Sequence, residues 1–160
     1  MQPEPDKLAA LIDTARALEA GGVPYALIGG LAVGIHAGVP RATIDVDVAA
    51  DLGGGRGRAI QALERASFAK TGEFEHSVNF RHASGEPVQL AFDPEFDPMI
   101  ARAERLDLAG TSIAIVRKED LITMKRRAAA DPTRRKSKRL RDEADVELLL
   151  GDVPDPDEGW

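Results

Sequence analysis

The sequence predicts an α/β (α+β) fold, a mixed β-sheet flanked by helices and closed by C-terminal helices, and three patterns carry that prediction. Lys7 to Ala20 places Leu8, Leu11, Ile12, Ala15 and Leu18 at helical spacing. Short apolar runs bounded by glycines, Val23 to Ile28 first among them, have the length and β-branched or aromatic content of strands. Helix signals alternate with strands and hairpin signals along the chain, an order that suits a sheet covered by helices.

Taken in order, Gly21-Gly22 ends the first helix, and Val23 to Ile28 reads as a buried strand. Gly29-Gly30 then opens a small-residue segment, LAVGIHAG, predicted as a short helix ending at Gly38-Val39-Pro40. From Thr43 to Ala49, Ile44, Val46 and Val48 alternate with Thr43, Asp45 and Asp47, which predicts a strand with one apolar face and one carboxylate face. A glycine-rich loop, Asp51 to Gly57, precedes a helix from about Arg58 to Ala66. Phe74 to His82 and Glu86 to Phe92 form a hairpin signal across Ala83-Ser84-Gly85. Asp97 to Glu104 reads as a short helix, and LDLAGTSIAIV as a second hairpin turning at Gly110. Glu119 to Ala130 and about Leu140 to Leu150 read as helices, with Asp131-Pro132 and the basic run Arg134 to Arg139 between them.

A chain of 160 residues with 43% hydrophobic content suits one domain, here residues 1–150, followed by an acidic tail, 151–160, expected to be flexible. The absence of cysteine removes disulfides, thiolate metal sites and a cysteine nucleophile from consideration. No apolar run approaches a membrane span, and the N-terminal stretch has acids and prolines ahead of its amphipathic pattern, the wrong order for a secretory signal; a cytoplasmic location is the expectation. A formal charge of -6 argues against a broad nucleic-acid surface. Between Arg117 and Arg141, however, eleven Lys or Arg stand against three acids, Glu119, Asp120 and Asp131. That stripe marks either a local anion site or a solvated helix face.

The chemistry gathers between Tyr25 and Val48. Asp45 and Asp47, two apart on an alternating strand, leave the same face about 7 Å apart at Cα. Two such carboxylates repel unless a cation lies between them, and oxygen ligands without cysteine favour Mg²⁺ or Mn²⁺. The alternative is a solvated polar face of an edge strand. Gly29-Gly30, between a strand and a helix, lets a ligand approach the backbone, and the helix start offers N–H groups and a positive dipole to phosphate. Together these are the inventory of Mg²⁺-dependent phosphoryl or nucleotidyl transfer.

The pattern of a strand, Gly29-Gly30, fourteen residues and Asp45-x-Asp47 resembles the signature of the DNA polymerase β-type nucleotidyltransferase superfamily. Within it, "IGGLAVGIHAG" running into "RATIDVDV", then "KEDLITMK" and "RLRDEADVELL", resembles the small bacterial group of AbiEii-like toxins and minimal, MNT-type nucleotidyltransferases. The resemblance spans about Ala9 to Leu150. It implies that Gly29 and Gly30 hold a triphosphate, that Asp45 and Asp47 bind the metal, and that Lys125 reaches the phosphates or ribose. Arg41 and Thr43 would contact phosphate or brace the loop; otherwise they are a surface Arg and a strand-start Thr. Asp142 and Asp145 stand where the group has C-terminal aspartates, or else pair with Arg139 or Arg141 at helical spacing. His36 falls where the group often has a His, in contact with nucleotide or in local packing.

The superfamily's third carboxylate, which completes the metal site and can take the acceptor's proton, is expected in "EPVQLAFD", at the position of Gln89. A neutral amide can ligate or hydrogen-bond but cannot act as a base. Asp93 shares its parity but lies about 13 Å further along a strand. Three outcomes stay open: two carboxylates suffice, Asp93 or Glu86 is recruited, or the protein binds nucleotide without transferring it. The resemblance implies transfer of an NMP from an NTP to an acceptor hydroxyl on RNA or tRNA, a protein or a small molecule, in a toxin or abortive-infection setting with an antitoxin protein as partner. Its rivals are a catalytically impaired nucleotide-binding or regulatory module and a plain interaction protein. His76 and His82 show no ligand spacing and receive no role.

Overall fold

The computed structural model describes residues 6–40, 43, 45–153, 155, 157 and 158. Among them the chain forms α1 (Lys7–Ala20), β1 (Tyr25–Ile28), α2 (Gly29–Ala37), β2 (Val46–Ala50), α3 (Arg56–Arg65), β3 (Ala69–Glu73), β4 (Ser77–Arg81), β5 (Pro87–Ala91), α4 (Phe96–Ala101), β6 (Glu104–Leu108), β7 (Thr111–Ile115), α5 (Lys118–Ala130) and α6 (Lys136–Leu149). The strands make one mixed sheet in the order β3-β4-β5-β2-β1-β7-β6. The predicted α+β class, a mixed sheet flanked by helices with two helices at the C-terminal end, is the class observed.

Alternation dictates which side of the sheet becomes core. In the parallel pair β2 and β5, Val46 faces Val88 and Val48 faces Leu90. In the hairpin of β4 and β5, Val78 faces Leu90 and Phe80 faces Val88. All six are at most 1% exposed, and burying each such side chain contributes roughly 1.5–3 kcal/mol. A period of two then forces Asp47, Gln89 and Asn79 onto the other face, in one cross-strand row. α1 packs on α3, while α2 packs on β1, β2, α5 and α6.

Several boundaries differ from those predicted. β2 starts at Val46, so Asp45 lies in the bend before the strand; Arg41 and Ile44 lie outside the described residues. α2 contains the glycine pair instead of following it. α3 and α4 are Arg56–Arg65 and Phe96–Ala101, so Glu104 belongs to β6 instead of a helix. The first predicted hairpin strand is shorter, Ser77–Arg81, because Phe74 to His76 make the turn out of β3, a strand the sequence reading did not include. α6 starts at Lys136, so most of the basic run is helix instead of linker. The second hairpin turns at Ala109 and Gly110, with φ 50° and 83°, the pairing a tight two-residue turn needs.

Candidate active site

The site begins where β1 ends. Ile28 is the register partner of Asp47 on β2, so the chain leaving β1 must turn into α2 directly beside that carboxylate. Gly29 makes the turn at φ 74°, and a Cβ there would stand 2.4 Å from Asp47 Oδ2. Only glycine satisfies both the left-handed backbone and the contact. No side chain caps the start of α2, and its first turn holds no acid. Beside the carboxylates, therefore, lies a helix start able to receive phosphate oxygens.

Asp47 Oδ1 is sealed from solvent and has no hydrogen-bond partner. Burial first, and the Asp45 charge second, push the Asp47 carboxyl up to about 7, opposed by Lys125, Lys138 and Arg134. Thr43 braces the approach by donating its Oγ1 hydrogen to the Asp45 carbonyl, 3.2 Å away. A carboxylate left in this state fits a cation. Among the described residues no group of three or more His, Asp or Glu side chains could hold a metal ion.

The positive groups come from α5, α6 and the turn between them. Lys125 Nζ lies 3.0 Å from Asp145 and 3.3 Å from Asp142, and Arg134 Nε lies 2.7 Å from the second Asp142 oxygen. Both aspartates are almost fully buried. The two aspartates thus hold Lys125 and Arg134 in place. Arg134 and Lys138 were not singled out in the sequence because they sit in a run of eight cations from Arg126 to Arg141 whose polar spacing has no apolar stripe. Their recurrence at a four-residue interval was the available signal.

No protein-family model matches the chain, and no curated protein does. Solved structures do. The chain superposes on ANT(2'')-Ia in complex with adenylyl-2''-tobramycin with a TM-score of 0.62 and 18% identity, covering 91% of this chain and 90% of that one. The lincosamide antibiotic adenylyltransferase LnuA, lincomycin-bound, gives 0.62 at 16% identity over 95% and 100% of the two chains. An antigenic nucleotidyltransferase-like protein from Paracoccidioides brasiliensis gives 0.60 at 20% identity over 94% and 78%. The fold is the nucleotidyltransferase fold.

Within this nucleotidyltransferase fold the other sequence-predicted residues are placed as follows. Gln89 is the direct register partner of Asp47. Asp93 lies past the far end of β5, held by Arg127 at 3.2 Å and accepting from the Glu95 N–H, so it does not join the pair. Glu86 is buried at the near end and bound to Lys7 at 2.6 Å. His36 Nε2 lies 2.7 Å from the Val116 carbonyl, which ties α2 to the end of β7. His82 is held by Asp13 and Ser84, while His76 is exposed near Glu75. No described helix is long and apolar enough to cross a membrane.

Proposed function

We propose that the protein is a Mg²⁺-dependent nucleotidyltransferase that moves an NMP from an NTP to an acceptor hydroxyl. The observation that carries this is Asp47, a carboxylate with a buried, unpartnered oxygen, set against Asp45 and against an uncapped helix start. Asp45 and Asp47 would hold the metal, with Mg²⁺ or Mn²⁺ suited to an oxygen-only site completed by phosphates. When bound, the ion supplies charge neutralisation on the phosphates and polarisation of the α-phosphorus. Gly29 and Gly30 receive phosphate oxygens through backbone N–H groups. Lys125, Arg134 and Lys138 place positive charge toward the same point, with Lys125 and Arg134 kept from collapsing onto Asp47 by their bonds to Asp142 and Asp145. Thr43 braces the approach to the carboxylates, and Arg41, two residues before it in the sequence, is assigned to phosphate contact or loop bracing.

In the reaction, an acceptor oxygen bonds to the α-phosphorus as the bond to the β-phosphate oxygen breaks, and pyrophosphate leaves. The hydroxyl proton passes to water, because Gln89 is no base. Catalysis is then mainly positioning and electrostatics. The fold neighbours include proteins named as antibiotic adenylyltransferases, which supports a transferase, and the resemblance to AbiEii-like and MNT-type proteins supports a toxin or abortive-infection role with an antitoxin partner in the cytoplasm. A second reading has one observation in its favour: with Gln89 opposite Asp47, the protein would bind nucleotide as a regulatory module without transferring it.

The test is incubation with Mg²⁺ and each labelled NTP in the presence of RNA, protein and aminoglycoside or lincosamide acceptors. Transfer that disappears in Asp45→Ala with Asp47→Ala supports the enzyme. Metal-dependent NTP binding without transfer to any acceptor supports the second reading.

A further inference from the structure

The open face of β5, β4 and β3 continues the site away from the phosphate side. Asp47 faces Gln89, Gln89 faces Asn79, and Asn79 faces Gly72. At about 4.8 Å per strand this row extends roughly 14 Å from the carboxylates to the sheet edge. Asn79 Oδ1 is sealed from solvent without a hydrogen-bond partner, a rare state for a buried amide. At the end of the row the Phe74 ring folds back over Gly72: a Cβ on Gly72 would stand 3.0 Å from that ring and 4.0 Å from Asn79 Nδ2. Phe74 is 57% exposed. Its turn is nevertheless fixed, because the Arg56 guanidinium donates to the carbonyls of Phe74 and Glu75.

We infer that this row is the acceptor subsite and that it takes a nucleoside group, whose base stacks on Phe74 and whose edge accepts from the Asn79 amide nitrogen and bonds to Gln89 while its sugar hydroxyl reaches toward Asp45 and Asp47. The inference rests on the proposed transferase reading. An exposed, pinned aromatic ring beside amides is the equipment by which proteins hold unstacked bases, because a ring accepts any base face and an amide offers both a donor and an acceptor. Charge selects against the opposite kind of acceptor. The face positions Ser77, Asn79, Arg81, Pro87 and Gln89 include no acid, and Arg81 is positive. At these positions of β4 and β5 a polycationic aminosugar would find no carboxylate to pair with. The nucleoside group comes either free or as the end of a single-stranded RNA.

The probes are a fluorescent single-stranded hexaribonucleotide, free adenosine and guanosine, and tobramycin, each titrated into the full-length protein with Mg²⁺ and an NTP present. The expected result is oligonucleotide or nucleoside binding that weakens about tenfold in Phe74→Ala and in Asn79→Ala, the scale of one stacked base, and is retained in Phe74→Trp. Oligonucleotide binding with no nucleoside binding assigns the source as an RNA end; the converse assigns a free nucleoside. Metal-dependent NTP binding should stay unchanged in these variants, since neither residue touches the phosphate side. Equal binding by wild type and both variants, or tobramycin binding lost in Asn79→Ala, overturns the inference while leaving the transferase reading intact. Loss of NTP binding in Asp45→Ala with Asp47→Ala tests that reading separately. Phe74 is exposed, so Phe74→Ala removes no core packing.

Discussion

Gly29 and Asp47 share one volume: the space a β-carbon would fill on Gly29 is occupied by the Asp47 carboxylate, 2.4 Å from that position. The glycine is therefore part of the carboxylate's environment as much as of the turn. It lets a helix start and an acid stand in direct contact, an arrangement in which phosphate and metal can be held together.

Gly29→Ala should abolish Mg²⁺-NTP binding and destabilise the fold, because φ 74° and the contact with Asp47 are both violated. Gly57→Ala, at a helical position of α3 with open space where the Cβ would stand, should cost no stability. Isothermal titration and thermal melts on the two variants make the comparison; equal melts would show that Gly29 is not under this constraint.

Asp47 should destabilise the ligand-free protein at neutral pH. Its carboxyl is raised from 3.8 to about 7, so between those values the native state binds more protons than the unfolded chain. Stability then falls as pH rises through that window, and the whole penalty is present above about 7. Asp47→Asn should raise stability at pH 8 by roughly 2 kcal/mol, about half of what such a shift converts to because the site is partly open to water. At pH 4 it should do little. A melt series from pH 4 to 8 checks the crossover.

The same proton must leave when a cation binds. The apparent affinity for Mg²⁺ with an NTP should increase between pH 6 and 8, with proton uptake by the buffer measurable by calorimetry in two buffers of different ionisation enthalpy. A flat affinity across that range would separate Asp47 from the metal.

Lys125→Met should destabilise the fold by about 3–5 kcal/mol, since it removes a cation bonded to two buried carboxylates. A lysine acting only on substrate phosphates would lower activity and leave the melting temperature unchanged. Adding Asp142→Asn to Lys125→Met should recover part of the lost stability without restoring activity.

Gln89→Asp tests the missing base. Placing a carboxylate opposite Asp47 should raise the transfer rate at pH 8 by roughly 10²-fold or more if proton removal limits the reaction. If transfer appears only in this variant, the natural protein is the nucleotide-binding module.

Sequence pattern reached the site where it rested on short-range geometry. Gly29, Asp45 and Asp47 were legible because a strand, a glycine turn and an alternating second strand each have a local signature. Gln89 was reached through the family resemblance, as the position of the third carboxylate, and the sheet sets it opposite Asp47. β3 was not legible: Ala69–Glu73, AKTGE, has no apolar face, and it is a strand only because β4 pairs with it. The start of α6 was hidden for a related reason. Its inward positions Asp142 and Asp145 are charged, and they are buried by cations from elsewhere in the fold, which no periodicity of apolar residues announces. Asn79 looked like any polar strand residue until the register put it in line with the carboxylates.

The Lys7–Glu86 pair has a practical reach beyond the packing of α1. It ties the first turn of the first helix to the residue that leads into β5, three positions before Gln89. Trimming the chain past Asp6 would leave Glu86 inside the protein without its Lys7 partner and β5 with a loosened root. The smallest piece of this molecule that can be made, shuffled or fused is thus set at its front end by an acid 79 residues further along the chain.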